Sequence, residues 1–104
     1  MYLINFYVPE SHLDLVKQAM FNAGAGQVGE YSECCWQCLG QGQFKPSTLA
    51  NPHIGTKEKV ETVAEYKVEM VCTDDLIKTA VAALKQAHPY EEVAFQVFPC
   101  HTVE

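Results

Sequence analysis

Three cysteines within five residues are the first side chains in this sequence that suggest chemistry. Cys34, Cys35 and Cys38 flank the single tryptophan, Trp36. A zinc site needs thiolates that converge on one ion, usually from a C-x2-C turn. On a predicted strand, Cys34 and Cys38 would lie on one face roughly 13 Å apart, with Cys35 on the other face. We therefore predict buried core thiols in preference to a metal site, with Trp36 covering one end of the core.

A second reactive group is the run His88-Pro89-Tyr90-Glu91-Glu92. An imidazole and carboxylates held around a rigid proline could bind a divalent cation, which makes His88 and Glu91 the candidate metal ligands. The alternative is structural: His88 complements the dipole of a preceding helix, Pro89 ends that helix, and Tyr90 belongs to the core. Both interpretations remain open at the level of residue types.

The longest segment without periodicity, residues 39–59, contains four glycines or prolines in its first fourteen residues and Gly55 near its end. Long loops in small domains are often functional, and this one carries aromatic and imidazole groups that could line a cleft between subunits. A turn fixed by Asn51 and Pro52 is the structural alternative. With two residues from the run after residue 88, the candidate ligand-binding residues are Phe44, Pro46, Asn51, His53, Gly55, Tyr90 and Glu92.

Residues 24–29 match the pattern G-x-G-x-x-G letter for letter. In dinucleotide-binding proteins a strand precedes this motif and a helix follows it, so that backbone amides point at a pyrophosphate. Here a helix is predicted before the motif and a strand after it, which reverses the dipole. We interpret these residues as a helix C-cap followed by a tight turn.

Length, composition and charge limit the classes of function. A chain of 104 residues with 48% hydrophobic content predicts one globular domain. A net charge of −6 and the absence of arginine argue against a nucleic-acid partner. No apolar run is long enough to cross a bilayer, so no membrane partner is expected. Five cysteines and an N-terminal stretch unlike a secretory signal predict a cytoplasmic protein with free thiols.

Hydrophobic periodicity predicts four strands and two helices. Alternation with period two predicts strands at residues 2–8, 30–38, 60–72 and 93–98, with a short extra strand considered at 43–45. Helical spacing predicts a first helix over residues 11–23, capped by Ser11 and ended at Gly24. The second helix is expected to be capped by Thr73 or Asp74 and to end before Pro89.

The order β-α-β-loop-β-α-β in two similar halves predicts the fold. It is typical of an α+β, ferredoxin-like βαββαβ sandwich, with a four-stranded antiparallel sheet and two helices on one face. The other face is left open and carries the apolar residues Leu3, Tyr7, Val63, Val71, Ala94 and Phe98. Because a half-apolar open face usually meets another subunit, we predict a homo-oligomer.

Five blocks of sequence, in order, carry a resemblance to a known family. They are Val8-Pro9, residues 23–34, residues 40–46, Asn51-Pro52-His53-Ile54-Gly55 and the run from His88 to Glu92. Together they resemble the inserted domain of the YqfO proteins, in the Nif-three-like (NGG-interacting factor) superfamily. That domain is similar in fold to the PII signalling and CutA proteins, and His88 to Glu91 is also similar to a segment of CutA. The resemblance implies a PII/CutA-like fold and a trimer.

The resemblance also bears on function. It implies a stand-alone, non-enzymatic module that binds a small ligand or a divalent metal ion in a regulatory role. The two-metal site of full-length YqfO proteins lies in a domain absent from this sequence, and the basic residues of a PII nucleotide site have no arginine counterpart. Two alternatives stay open: a protein-interaction module, or an enzyme with an intersubunit site in which Cys34 or Cys35 is the nucleophile and His53 or His88 the base.

Overall fold

The computed structural model describes residues 1–101 and 103, and its elements follow the predicted order. They are β1 (Tyr2–Pro9), a 3-10 turn (Glu10–His12), α1 (Leu13–Asn22), β2 (Trp36–Phe44), β3 (Glu61–Cys72), α2 (Ile77–Ala87) and β4 (Phe95–Pro99). The strands form one antiparallel sheet in the order β2-β3-β1-β4. The predicted α+β ferredoxin-like fold is therefore confirmed.

Alternation along the two central strands builds the core. Ile4, Phe6 and Val8 of β1 are fully buried, and Ile4 and Phe6 lie opposite Met70 and Val68 of β3. The helices contribute the buried residues Leu13, Val16, Met20, Ala80 and Leu84 to the same cluster. Because alternate strand residues share one face, both helices must cover that face of the sheet.

The other face of the sheet carries no helix, and we call it the helix-free face. It presents Leu3, Asn5 and Tyr7 of β1, with Val71 and Phe98 beside Leu3 in the register of the neighbouring strands. Phe98 is 48% exposed. The face is therefore half apolar and open in the single chain.

The β2–β3 hairpin extends past the rest of the sheet. β1 pairs with β3 only over residues 65–72, whereas β2 continues the pairing down to Glu61 opposite Phe44. The chain is accordingly elongated, at 49 × 24 × 23 Å. This projection carries the loop between β2 and β3 past the end of the β1–β3 pairing, where the loop contacts the 3-10 turn and the segment after α2.

The second strand corrects the sequence prediction. A strand was expected at residues 30–38 and a loop at 39–59, but β2 occupies Trp36–Phe44 and the loop runs from Lys45 to Val60. Residues 30–35 are not extended, because Glu33 has a positive φ of 58° and the Cys34 amide donates to the Gly26 carbonyl at 2.8 Å. The alternating residues of this segment therefore lie in a tight turn that local hydrogen bonds close.

The predicted N-caps are also wrong. α1 begins at Leu13 after the 3-10 turn, and the Ser11 hydroxyl lies 2.8 Å from His12 Nδ1 instead of capping the helix. α2 begins at Ile77 without a side-chain cap, and the Asp74 carboxylate accepts from the N-terminal ammonium of Met1. Competing partners thus draw both side chains away from the helix amides.

The predicted helix ends agree better with the structure. The first helix stops just before Gly24, which has a φ of +101°, and α2 stops at Ala87 before His88-Pro89. The last strand begins at Phe95, two residues later than predicted. No helix among the described residues is long and apolar enough to span a membrane.

Candidate functional site

A cavity of about 420 Å³ lies where the β2–β3 loop meets the helix-free face. We call it the loop pocket. Its walls come from the end of β2 and the loop, over residues 43–54, from the segment after α2, over residues 90–94, and from Tyr7 and Glu65 of the sheet. Three parts of the chain that are distant in sequence therefore form one concave surface.

Most of the residues selected from the sequence lie around this cavity. Its lining includes Phe44, Pro46, His53, Tyr90, Glu91 and Glu92. Asn51 and Gly55 support the lining from outside. The Asn51 amide donates to the Glu91 carboxylate at 2.8 Å, and a Cβ at Gly55 would lie 3.1 Å from the Phe44 ring. The loop is thereby tied to the segment after α2.

Aromatic rings and imidazoles cluster around Tyr90. The Tyr90 ring lies 6.2 Å from Phe44, 6.2 Å from His53 and 4.8 Å from His88, measured between centroids. His12 continues the cluster, because its ring meets that of His53 edge to face at 6.0 Å. Rings in these arrangements attract one another beyond the effect of burial alone. The cluster fixes one wall of the loop pocket.

His88 lies behind this wall and is occupied at both ring nitrogens. The Tyr90 amide donates to Nδ1 at 3.2 Å, and Nε2 lies 2.7 Å from the Tyr7 carbonyl oxygen. An amide can only donate, so Nδ1 is the acceptor and the ring proton is on Nε2, which donates to Tyr7. Burial lowers the pKa of His88, and the hydrogen bond to Tyr7 opposes that shift. His88 therefore joins the segment after α2 to β1.

These hydrogen bonds occupy atoms that the two predicted metal ligands would need to bind an ion. His88 has no free lone pair for an ion, and one carboxylate oxygen of Glu91 accepts from the loop. Among the described residues, no group of three or more His, Cys, Asp or Glu side chains is placed to hold a metal ion. The geometry gives His88 a structural role other than the predicted one: its neutral ring joins Tyr90 to Tyr7 and carries no charge that could complement the helix dipole.

Glu65 reaches into the loop pocket from β3 across Gly42. A Cβ at Gly42 would lie 2.0 Å from Glu65 Oε1, so only glycine allows the carboxylate to fold over β2 in this way. Burial raises the pKa of Glu65. The Tyr90 hydroxyl is buried and has no hydrogen-bond partner among residues 1–101 and 103. Its pKa is raised by burial first and by the charge of Glu65 second.

The cysteines predicted to be core thiols lie elsewhere, and that prediction is wrong. Cys35 and Cys38 are exposed, Cys34 is half-buried, and Trp36 between them is 58% exposed. The shift of β2 explains the error, because residues at its start lie on an edge strand instead of over the core. Cys72 is the buried thiol, and no cysteine is among the described residues that line the loop pocket.

Several residues at the site were not selected from the sequence. The sequence predicts Tyr7 and Glu65 only as strand residues, and it does not place Lys45 among the candidate ligand-binding residues. Their place follows from strand register, which brings Tyr7 opposite Lys67 and Pro9 opposite Glu65. His12 was assigned to the first turn of a helix. Register and helix start both depend on distant contacts, so local patterns carried no signal for these residues.

Comparisons with known proteins identify relatives of this chain. No protein-family model matches the chain. It is 46% identical over 100 residues to a GTP cyclohydrolase 1 type 2 homolog of Listeria innocua, covering 95% of this chain and 27% of that protein. The chain thus spans about a quarter of the length of the curated relatives that it matches.

Solved structures extend the comparison. The crystal structure of a Bacillus cereus protein related to NIF3 matches with a TM-score of 0.83 and 33% identity, over 97% of this chain and 26% of that one. The periplasmic divalent cation tolerance protein CutA from Archaeoglobus fulgidus matches with a TM-score of 0.71 and 12% identity, over 100% of this chain and 88% of that one. At that identity the second match shows the fold alone.

Proposed function

Because the chain is homologous to a segment of about 100 residues in the NIF3-related GTP cyclohydrolase 1 type 2 homologs and has a CutA/PII-like fold, we propose that it is a non-enzymatic binding module of the YqfO/CutA-like type. Its ligand is a small molecule or a metal ion, and its role is regulatory. The single observation that carries the proposal is the loop pocket, which gathers residues from three distant parts of the chain.

The loop pocket has the properties of a ligand site. Its volume of about 420 Å³ falls in the range of small-molecule pockets, and its lining includes the rings of Tyr7, Phe44 and Tyr90 and two prolines. Two links hold its walls in place: Asn51 to Glu91, and His88 to Tyr7. A pre-formed cavity binds with a smaller ordering cost than a loop that must fold around its ligand.

We further propose that the module acts as a homo-oligomer, with a trimer as the expected state. The helix-free face supports this, because it exposes Phe98 beside Leu3 and Val71 with no helix to cover them. The loop pocket borders that face through Tyr7 and Ala94. A neighbouring subunit on the face would therefore lie beside the pocket.

The enzyme alternative receives no specific support. No cysteine lines the loop pocket among the described residues, and His88 is held by two backbone partners. The relatives are named for a cyclohydrolase, but the chain spans only about a quarter of their length. We therefore carry no catalytic activity over to this chain.

Native mass spectrometry of the protein purified from cells tests the proposal. We expect a trimer that retains a stoichiometric extra mass. Phe44→Ala, which removes a ring from the pocket wall, should abolish the extra mass and leave the subunit number unchanged. Leu49→Ala is the matched control, since Leu49 lies in the same loop, is 94% exposed and does not line the pocket. Extra mass that survives Phe44→Ala would place the ligand elsewhere.

A further inference from the structure

We infer that the loop pocket binds a small organic cation: an amine that carries an apolar or aromatic body. This inference rests on the proposed function of the pocket as a ligand site and adds the charge and chemical class of the ligand. It follows from the side chains that line the cavity, whose charges and rings are complementary to such a molecule.

Charge is the first part of that complementarity. The carboxylates of Glu65, Glu91 and Glu92 line the pocket, while Lys45 is the one lysine in its lining. The other titratable groups there are the phenols of Tyr7 and Tyr90 and the imidazole of His53. When the carboxylates are ionised, the pocket attracts cations and repels anions. An anionic ligand would also find no arginine, because the chain has none.

Aromatic surface is the second part. Tyr90 and Phe44 meet at 6.2 Å with their planes inclined by 50°, so together they form an angled wall. Tyr7 lies on the sheet side of the cavity, and Pro46 and Pro52 lie on the loop side. Ring faces attract ammonium groups as well as apolar bodies, whereas metal ions in proteins are held by oxygen, nitrogen and sulfur ligands. The cavity of about 420 Å³ is also far larger than an ion requires.

Glu65 is the group best placed to hold the ammonium. It is half-buried, and among the described residues it forms no ion pair within 4.0 Å and no side-chain hydrogen bond. Glu91 already accepts from the Asn51 amide at 2.8 Å. A partly desolvated carboxylate without a counter-ion gains more from a cation than a fully exposed one does. Glu92, which lines the pocket and is exposed, is the second contact.

Three ligands that share a phenyl ring and have nearly equal shapes distinguish the contribution of charge to binding from that of the ring. We would titrate the full chain, labelled with ¹⁵N, with phenethylamine, 2-phenylethanol and 3-phenylpropionate, and follow the amide shifts of Phe44, His53 and Tyr90. The expected result is a Kd for the amine at least about tenfold lower than for the alcohol, as a charge-assisted contact would give. The carboxylate should cause no shift at these amides.

Isosteric variants test the contribution of each carboxylate to binding. Glu65→Gln and Glu92→Gln should each weaken phenethylamine binding by about tenfold, because each replaces a charge-assisted contact by a neutral one. Glu69→Gln is the matched control: it lies on the same strand and the same sheet face but does not line the pocket, so its Kd should stay at the wild-type value. An equal Kd for Glu65→Gln and wild type would overturn the role of Glu65.

The outcomes separate the two claims. If the alcohol or the carboxylate shifts the pocket amides at a Kd equal to or below that of the amine, the cation inference is wrong and the proposed function stands. If none of the three ligands, nor a fragment set of mixed charge, nor a panel of divalent cations shifts these amides at concentrations up to about 10 mM, both claims are wrong, because even ligands of modest affinity are detected there.

Discussion

His88 is a buried imidazole whose two ring nitrogens are both used by the backbone, and it shows how one side chain can hold a site without belonging to its surface. Its partners are the amide of Tyr90, within the segment after α2, and the carbonyl of Tyr7, on β1. A proton added at Nδ1 would turn the acceptor of the Tyr90 amide into a donor and break that hydrogen bond. The geometry and the lowered pKa of His88 therefore agree: the folded protein keeps this ring neutral.

We expect stability to fall on acidification because of His88. In the unfolded chain this imidazole titrates near its ordinary pKa of about 6.5, whereas burial lowers its pKa in the folded state. As the pH falls below about 6.5, the unfolded state binds the proton first, so the free energy of unfolding decreases until the pH drops below the folded pKa. Urea denaturation at pH 7.5 and 5.5 measures this difference.

The variant His88→Gln separates this effect from general acid sensitivity. At pH 7.5 it should lose about 1–3 kcal/mol of stability, since the backbone partners of the ring are left poorly satisfied. It should also lose much less stability than the wild type between the two pH values. His101→Gln is the control, because His101 is exposed. An unchanged pH slope in His88→Gln would contradict the assignment.

At the scale of secondary-structure elements, the turns between helices and strands determine where the loops lie. The turn after α1 begins at Gly24 and is closed by the amide of Gly26, which donates to the Val71 carbonyl of β3 at 2.8 Å. This bond anchors the segment between α1 and β2 to the sheet, and β2 begins only after that segment, at Trp36. The position of β2 in turn sets where Phe44 and the loop pocket begin.

Gly24→Ala should destabilise the protein by about 1–3 kcal/mol, because a residue other than glycine is strained at a positive φ. Gly24 has a φ of +101°, and a Cβ there would lie 2.5 Å from Leu76 Cδ1. Gly40→Ala is the matched control: a Cβ on this strand residue would meet nothing within 4 Å. Thermal or urea unfolding compares the two variants, and equal stabilities would show that the turn tolerates the side chain.

On the scale of the whole molecule, the two faces of the sheet are unequal. One is sealed by α1 and α2, and its central residues are fully buried. The helix-free face keeps Leu3, Val71 and Phe98 together across the three strands that carry them. Burying such a patch between copies contributes about 25 cal/mol for each Å² of apolar surface removed from water. The homo-oligomer proposed above would cover this face with a neighbouring subunit.

Phe98→Glu should shift the protein towards monomers, because it introduces a charge into the surface proposed to be buried between subunits. The molar mass in solution, measured by light scattering after size-exclusion chromatography, reports the change. Leu49→Glu is the control, since Leu49 is 94% exposed in the loop and lies outside the helix-free face. Retention of the wild-type molar mass by Phe98→Glu would exclude this face as the interface.

Local patterns in the sequence determined the scaffold. The alternation of Ile4, Phe6 and Val8 indicates a strand with one buried face, and Gly24 and Pro89 mark helix ends through their own backbone preferences. Each of these signals arises within a few residues of chain. Such signals suffice for the element order and the fold class, and the structure confirms both.

Only the tertiary structure decided the register of β2 and which residues line the loop pocket. Cys38 is exposed because β2 is an edge strand, and Glu65 enters the cavity because Gly42 on the neighbouring strand has no side chain to block it. The bond from Asn51 to Glu91 joins residues 40 positions apart. Pairings at such separations depend on how the whole chain packs, so local periodicity carries no information about them.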